Sequence, residues 1–323
     1  MRFLSLIGAA SLAWAAMATN AAAQTSSYPK NFVRIVVGSS PGGTADTISR
    51  MVAEALTTKL GKPFIVENQP GAGGALAAKS VKAASPDGYT IQFIFSSFSI
   101  LPSLNPKVGY DPVADFAPIA QVSAVPNLLL VHPSFGVSSL REWIAKVKQN
   151  PGKFDYGSGG IGYSQHLSME MLLQGTNGEM VHIPYTGSGS LLGALLPGQV
   201  PTAFEPLTTA VPHVQSGALI PLAITSAGRS SLMPNVPAIS EEIPGYELTA
   251  WNGFVAPAGT PPEIISILNK AITEYLATDK SKALFDKLAT EISPSTPEEF
   301  GKIIANDYRK FADVITAAGI KAR

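Results

Sequence analysis

The chain has 323 residues, 23 basic against 23 acidic side chains, and no cysteine. Balanced charge gives no electrostatic footprint for nucleic acid or an anionic membrane surface, and the missing cysteine excludes disulfide frameworks, thiol nucleophiles and thiolate metal sites. Some 300 residues beyond a short leader, roughly the size at which one core stops growing, predict two lobes.

Met1 and Arg2 precede an apolar run over 3–18, and Ala21-Ala22-Ala23 before Gln24 is a small-residue cleavage pattern. It predicts an exported protein, cut after Ala23 and released to the periplasm. With no cysteine beside the cut there is no residue to lipidate.

From there strands alternate with helices. A β-branched run at 33–37 stops at Gly38-Ser39-Ser40-Pro41-Gly42-Gly43, and Ile48, Met51, Val52, Ala55, Leu56 and Leu60 then recur at helical spacing up to Gly61. Residues 64–67 read as a strand, Pro70-Gly71-Ala72-Gly73-Gly74 opens an alanine-rich helix to about residue 84, and Asp87-Gly88 turns into a strand at 90–95. This β-α-β-α-β order predicts a parallel sheet with helices on both faces.

A second unit follows the same plan. It has a strand at 128–131, a helix at 140–149 capped by Ser138, glycines at 157–162 leading into a helix at 164–173, and a strand at 181–184. Residues 191–196 read as an apolar helix, and 200–204 and 221–225 as strands. The proline-rich stretch 229–259 reads as the crossing back, with Trp251 inside it, followed by helices at 262–276, 281–288 and 297–318. The division expected is a leader at 1–23, a first lobe begun by 24–122, a second lobe at 123–246, and a crossing strand with return to the first lobe at 247–323.

Four strand-to-helix junctions, at 39–46, 70–74, 157–166 and 186–190, are rich in glycine, serine and threonine and carry no lysine or arginine. In a parallel sheet they all lie at the carboxyl ends of the strands, where open α/β folds bind ligands. Each offers backbone N–H groups and the positive end of a helix dipole, a donor set that suits an anion. Asp46 either complements the first turn of its helix or holds the 39–43 loop from behind; direct contact with an anion would be repulsive.

Catalytic and cofactor patterns are weak. Gly157-Ser158-Gly159-Gly160-Ile161-Gly162 matches G-x-G-x-x-G, but it lies mid-chain and lacks the acid that ends the next strand. Gly162-x-Ser164-x-His166 misses a nucleophile elbow, since His166 replaces the second glycine. His132, His166, His182 and His213 have no metal-ligand spacing, so neither metal nor cofactor is expected. Of the four, His166 is the one placed near the cleft.

An ordered set of markers then carries a resemblance over nearly the whole chain. They are Ser40-Pro41-Gly42-Gly43 with Asp46, Val66-Glu67-Asn68-x-Pro70-Gly71-Ala72-Gly73-Gly74, Ser85-Pro86-Asp87-Gly88-Tyr89-Thr90, Tyr110-Asp111-Pro112, Tyr156-Gly157-Ser158, His182-Ile183-Pro184-Tyr185, Trp251-x-Gly253-x-x-Ala256-Pro257-Ala258-Gly259-Thr260-Pro261 and Ala318-Gly319-Ile320-Lys321. The sequence resembles the Bug, or TctC, family of extracytoplasmic receptors for tripartite tricarboxylate transporters.

The resemblance implies a type II periplasmic-binding-protein fold: two α/β lobes joined by two crossing strands, with the ligand cleft between them. It implies a non-enzymatic, monomeric solute-binding protein that captures a small carboxylate (a di- or tricarboxylate, an acidic amino acid or an aromatic carboxylate) and hands it to a cognate inner-membrane permease. Carried onto this chain, the ligand contacts are Ser39, Ser40, Gly42, Gly43, Thr44 and Asp46 on one lobe, and Gly159, Gly160, Ile161, Gly162, Ser164 and His166 on the other. Gly38-Ser39-Ser40 stands where relatives often carry a bulky residue, Pro201 where Asp is common and Thr186 where lysine is frequent, so no one relative's ligand transfers. The alternative is a secreted serine hydrolase using Ser164 or Ser158.

Overall fold

The computed structural model describes residues 28–320 apart from residue 289; the expected leader and its cleavage site lie outside them. Strands β1 (Val33–Val37), β2 (Phe64–Asn68) and β3 (Thr90–Phe95) are parallel, with β1 in the middle. Helix α1 (Thr44–Leu60) connects β1 to β2, and α2 (Ala75–Lys82) connects β2 to β3. Gly61 ends α1 in the left-handed region, its N–H closing on Thr57 O, as expected of a helix C-terminal glycine. The face bearing Ile35, Val37 and Phe93 is covered by Ile48, Val52 and Leu56 of α1.

After α3 (Ser97–Leu104) comes β4 (Phe116–Val131), sixteen residues long, which serves both halves of the molecule. Its first part pairs antiparallel with β9 (Thr249–Pro257), and β9 in turn pairs with β3. Its last part pairs with β7 (Thr202–Pro206) on one edge and with β8 (Ile220–Ile224). The strand expected at 128–131 is therefore the tail of a much longer one. Register shifts near Pro118 and Gln121 let a strand carrying Pro118 and Pro126 bend while staying in the sheet.

The second lobe repeats the order of the first. Strand β5 (Asp155–Ser158) lies between β6 (Val181–Pro184) and β7, and the main path of the ten-stranded sheet reads β2-β1-β3-β9-β4-β7-β5-β6. Helices α4 (Leu140–Gln149), α5 (Ser164–Thr176), α6 (Ser188–Leu195) and α7 (Leu207–Gln215) flank it. The cap of α4 is Ser139, whose hydroxyl accepts the Glu142 N–H, while Ser138 bonds the Glu142 carboxylate. Each half has its own core, one built around Phe93 and Phe254, the other around Trp143 and Phe204.

Helices α8 (Pro262–Leu276) and α9 (Asp279–Lys287), the short strand β10 (Glu291–Ile292) and α10 (Pro297–Ala317) complete the described chain. Phe300 and Ile304 of α10 pack with Trp251 and Val255, whereas Phe311, Val314 and Ile315 pack with Leu167 of α5 and Ile100 of α3. The last helix thus braces both halves across the crossing strands. Among the described residues no helix is long and apolar enough to cross a membrane.

Candidate functional site

The loop after β1 is held from behind by one buried acid. Asp46 is 4% exposed, and its carboxylate accepts the Gly42 N–H at 2.9 Å, Arg50 Nε at 3.0 Å and Asn68 Nδ2 at 2.9 Å. The hydrogen bond from Arg50 is the main cause that holds this carboxyl down at about 2, below its ordinary 3.8. Asn68, at the end of β2, also donates to Ser39 O, so β2, α1 and the loop form one unit. Gly42 has φ +86°, a left-handed conformation that side chains resist. Gly38 passes so close to Gly74 that a Cβ would lie 2.7 Å from its Cα, which brings the junctions after β1 and β2 together.

Ser40, Gly42, Gly43 and Thr44 are exposed on this loop, and Ser39 is half-buried with a hydroxyl oxygen that has no partner. Helix α1 has no side-chain cap on Gly43, and its first intrahelical bond runs from Thr47 N to Gly43 O at 2.9 Å. The N–H groups of Thr44, Ala45 and Asp46 precede that bond and are left open by the helix itself.

The second loop is braced by a stack of rings. Tyr156 and His182 are neighbours in the parallel β5–β6 register, with ring centroids 4.9 Å apart. His166, from the first turn of α5, lies flat on His182 at 3.9 Å and 9°. His182 Nε2 meets Ser158 Oγ at 2.7 Å, Ser158 Oγ also accepts the Gly160 N–H at 3.2 Å, and His166 Nδ1 accepts the Gly162 N–H at 3.1 Å. Tyr156 donates its hydroxyl to Glu170, whose Oε1 lies 3.7 Å from His166 Nε2. Burial is the first cause that lowers both imidazoles, His166 to about 3 and His182 to about 4, and it raises Glu170 and Tyr156. The stack is a neutral scaffold, not a charged one.

Three of the amides expected to face a ligand, those of Gly42, Gly160 and Gly162, therefore have partners inside their own loops. The open donors shift to the helix starts. Helix α5 also lacks a side-chain cap: Tyr163 occupies that position, and the first helical bond runs from Leu167 N to Tyr163 O. The amides of Ser164, Gln165 and His166 stand open there as their counterparts do on α1. Tyr163 is 56% exposed, its ring over Gly160, and a Cβ on Gly162 would lie 2.5 Å from Leu104 of α3.

The structure brings Ser39, Ser40, Gly42, Gly43, Thr44 and Asp46 together on one lobe and Gly159, Gly160, Ile161, Gly162, Ser164 and His166 on the other. His166 is buried at 4% and holds its loop from beneath. The 186–190 junction joins the second group through Gly187 N to Gly159 O at 2.8 Å and Gln165 Nε2 to Ser188 Oγ at 3.0 Å. Sequence reasoning missed His182, Tyr156, Glu170 and Gln165 as parts of this assembly; the markers Tyr156-Gly157-Ser158 and His182-Ile183-Pro184 contained the signal, but only the β5–β6 register makes them neighbours. Among the described residues no group of three or more His, Asp or Glu could hold a metal ion.

The family model described as the tripartite tricarboxylate transporter family receptor matches residues 48–320. Protein BugT of Bordetella pertussis is 33% identical over 328 residues, covering 100% of this chain and 99% of its own length. The R. palustris protein Rpa4515, solved with adipate, is 31% identical with a TM-score of 0.74, covering 91% of this chain and 99% of its own. A TctC solute binding protein from Polaromonas, solved with no ligand, is 26% identical with a TM-score of 0.83, covering 90% of this chain and 99% of its own.

Proposed function

The chain belongs to the tripartite tricarboxylate transporter receptor family, and from that premise we propose that it captures a small carboxylate between its lobes and passes it to a tripartite permease. The observation that carries the proposal is a pair of uncapped helix starts, α1 on one lobe and α5 on the other, each ending strand-to-helix loops without lysine or arginine. Their open amides and hydroxyls bind an anion through dipoles, not through full charges. Hydrogen bonds to a charged group contribute roughly 1.5–3 kcal/mol each, so a few of them reach about −8 kcal/mol, micromolar affinity.

A ligand touching both starts makes contacts in the closed arrangement that the open one lacks, and so shifts the population toward closure. The ligand is a di- or tricarboxylate, an acidic amino acid or an aromatic carboxylate, and the protein acts as a periplasmic monomer after cleavage at Ala23. A thermal-shift screen of such carboxylates, followed by calorimetry of the hits, tests this; one-to-one saturable binding is expected, and an entirely silent screen overturns it.

One observation favours a second reading. Ser158 Oγ and His182 Nε2 are 2.7 Å apart, a nucleophile and base at the right distance for a serine hydrolase. Against it, Ser158 is fully buried and His182 is sandwiched between Tyr156 and His166, with the carboxylate of Glu170 engaged by Tyr156.

A further inference from the structure

Glu205 is wholly buried near the end of β7, opposite Leu128 in the β4–β7 register. Its Oε2 accepts the Thr209 hydroxyl from the first turn of α7 at 2.7 Å, while its Oε1 is buried with no partner. The Ser188 hydroxyl, at the start of α6, lies beside the carboxyl, and Ser188 Oγ accepts Gln165 Nε2. Gln165 is itself 3% exposed in the first turn of α5. Glu205, Ser188 and Gln165 thus stand at three strand-to-helix junctions, and the Gln165–Ser188 bond ties the start of α6 to the first turn of α5.

An ionised carboxylate withdrawn from water needs donors on both oxygens or a paired cation. Glu205 has one hydroxyl donor, a second hydroxyl nearby and, among the described residues, no cationic partner. A neutral carboxyl fits the same surroundings better, because the ionised form would leave charge on a buried oxygen that has no donor. Burial correspondingly raises this carboxyl to about 7 from an ordinary 4.5.

We propose that Glu205 is a proton-carrying positioning residue, so that capture of an anionic ligand at α5 is coupled to proton uptake from solvent onto whatever share of Glu205 is ionised. An ionised Glu205 would repel the incoming carboxylate across a poorly screened interior, and protonation removes that repulsion. The coupling is reciprocal: the proton favours the ligand as much as the ligand favours the proton. It rests on the carboxylate-receptor reading above.

The groups around Glu205 do not titrate: Leu128 on β4, Thr209 on α7, Ser188 on α6 and Gln165 on α5. The titratable groups of this part of the lobe are Tyr185, packed in the cluster that holds Leu128 and Leu207, with His166 and Glu170 on α5 and His182 on β6. The two imidazoles charge only at about 3 and 4, well below the range that matters for Glu205. Burial raises Glu170 as well, and a Glu205 variant separates the two carboxyls.

Two measurements test the coupling. Infrared difference spectra of the ligand-free protein between pH 5.5 and 8.5 should contain a protonated-carboxyl band that Glu205→Gln removes; if the wild-type band survives in that variant, the proposal falls. Calorimetry with adipate, malate and citrate, in buffers of contrasting ionisation enthalpy, then counts protons. Wild type should take up a fraction of a proton near pH 7 and bind about tenfold more weakly at pH 8 than at pH 6. Glu205→Gln should take up none and keep near-constant affinity over that range. A carboxylate that binds wild type with no proton uptake overturns the coupling alone, whereas failure of all three to bind overturns the receptor reading and the coupling with it.

Discussion

Gly162 donates its backbone N–H to His166 Nδ1 at 3.1 Å, which makes that nitrogen an acceptor and leaves the ring proton on Nε2. The ring lies on His182 at a centroid distance of 3.9 Å, so the two imidazoles cannot both charge without repulsion. The stack that supports the loop is stable only while it is neutral.

Stability should accordingly fall in acid. Both rings have folded values below the ordinary 6.5, about 3 for His166 and about 4 for His182. The unfolded chain binds their protons first, so their contribution is complete above about pH 6.5 and is lost as pH falls through the folded values. Each ring is worth on the order of 3 kcal/mol over that range. Urea denaturation at pH 7 and pH 4 measures the loss; a His166→Gln, His182→Gln double variant with an unchanged slope would place the acid sensitivity elsewhere.

Asp46→Asn should loosen the first loop. The change removes the charge that Arg50 and Gly42 N–H bind, costing about 2–3 kcal/mol of stability, the value of hydrogen bonds to a charged group. Its folded value of about 2 lies below the ordinary 3.8, so the wild-type contribution is complete above about pH 4 and disappears only near pH 2. Carboxylate affinity should drop tenfold or more at pH 7, as calorimetry would report. Unchanged affinity would separate the Asp46 network from binding.

Proline scanning isolates the open amides. Thr44 and Ser164 are the first residues of α1 and α5, a position that accepts proline because its N–H has no helical partner. The preceding residues, Gly43 (φ −78°, ψ 171°) and Tyr163 (φ −72°, ψ 159°), already have the extended geometry that proline demands. Thr44→Pro and Ser164→Pro should each weaken carboxylate binding about tenfold while shifting the melting temperature by no more than a few degrees. Full affinity in both would move the anion away from the helix starts.

Ester turnover should be absent. With Ser158 fully buried, the purified protein is expected to leave p-nitrophenyl acetate unchanged beyond the buffer rate. Turnover abolished by Ser158→Ala would make the Ser158–His182 pair catalytic.

The parts of the fold legible in the sequence are those whose pattern is set locally. The amphipathic repeats of α1, α8 and α10 and the β-branched run of β1 were readable at near their observed limits. The part of β4 before residue 128 was not, because Pro118 and Pro126 interrupt the strand pattern, and it is pairing with β9, shifted in register after Pro118, that holds this stretch extended. Helices α3 and α7 were hidden for a related reason, each enclosing a proline, Pro102 and Pro212. Around the candidate site, glycine, serine and threonine marked loops that the structure places between strands and helices. Which amides remain open depended on Asp46, Ser158 and His166 satisfying Gly42, Gly160 and Gly162, and on His182 being brought beside Ser158 by strand pairing.

The position of β9 imposes an order on synthesis. It is inserted between β3 and β4, with Phe254 edge-on to Phe93 at 5.1 Å, yet it comes from residues 249–257. The half of the molecule made first is therefore finished last. Until that late segment emerges, β3 keeps a bare hydrogen-bonding edge, with Phe93 lacking its aromatic neighbour, and such an edge is a template for unwanted pairing. A chain cut before residue 249 would hold strands β1 to β3 complete and still lack the strand that pairs with β3, so that edge stays open until about three-quarters of the chain has been made.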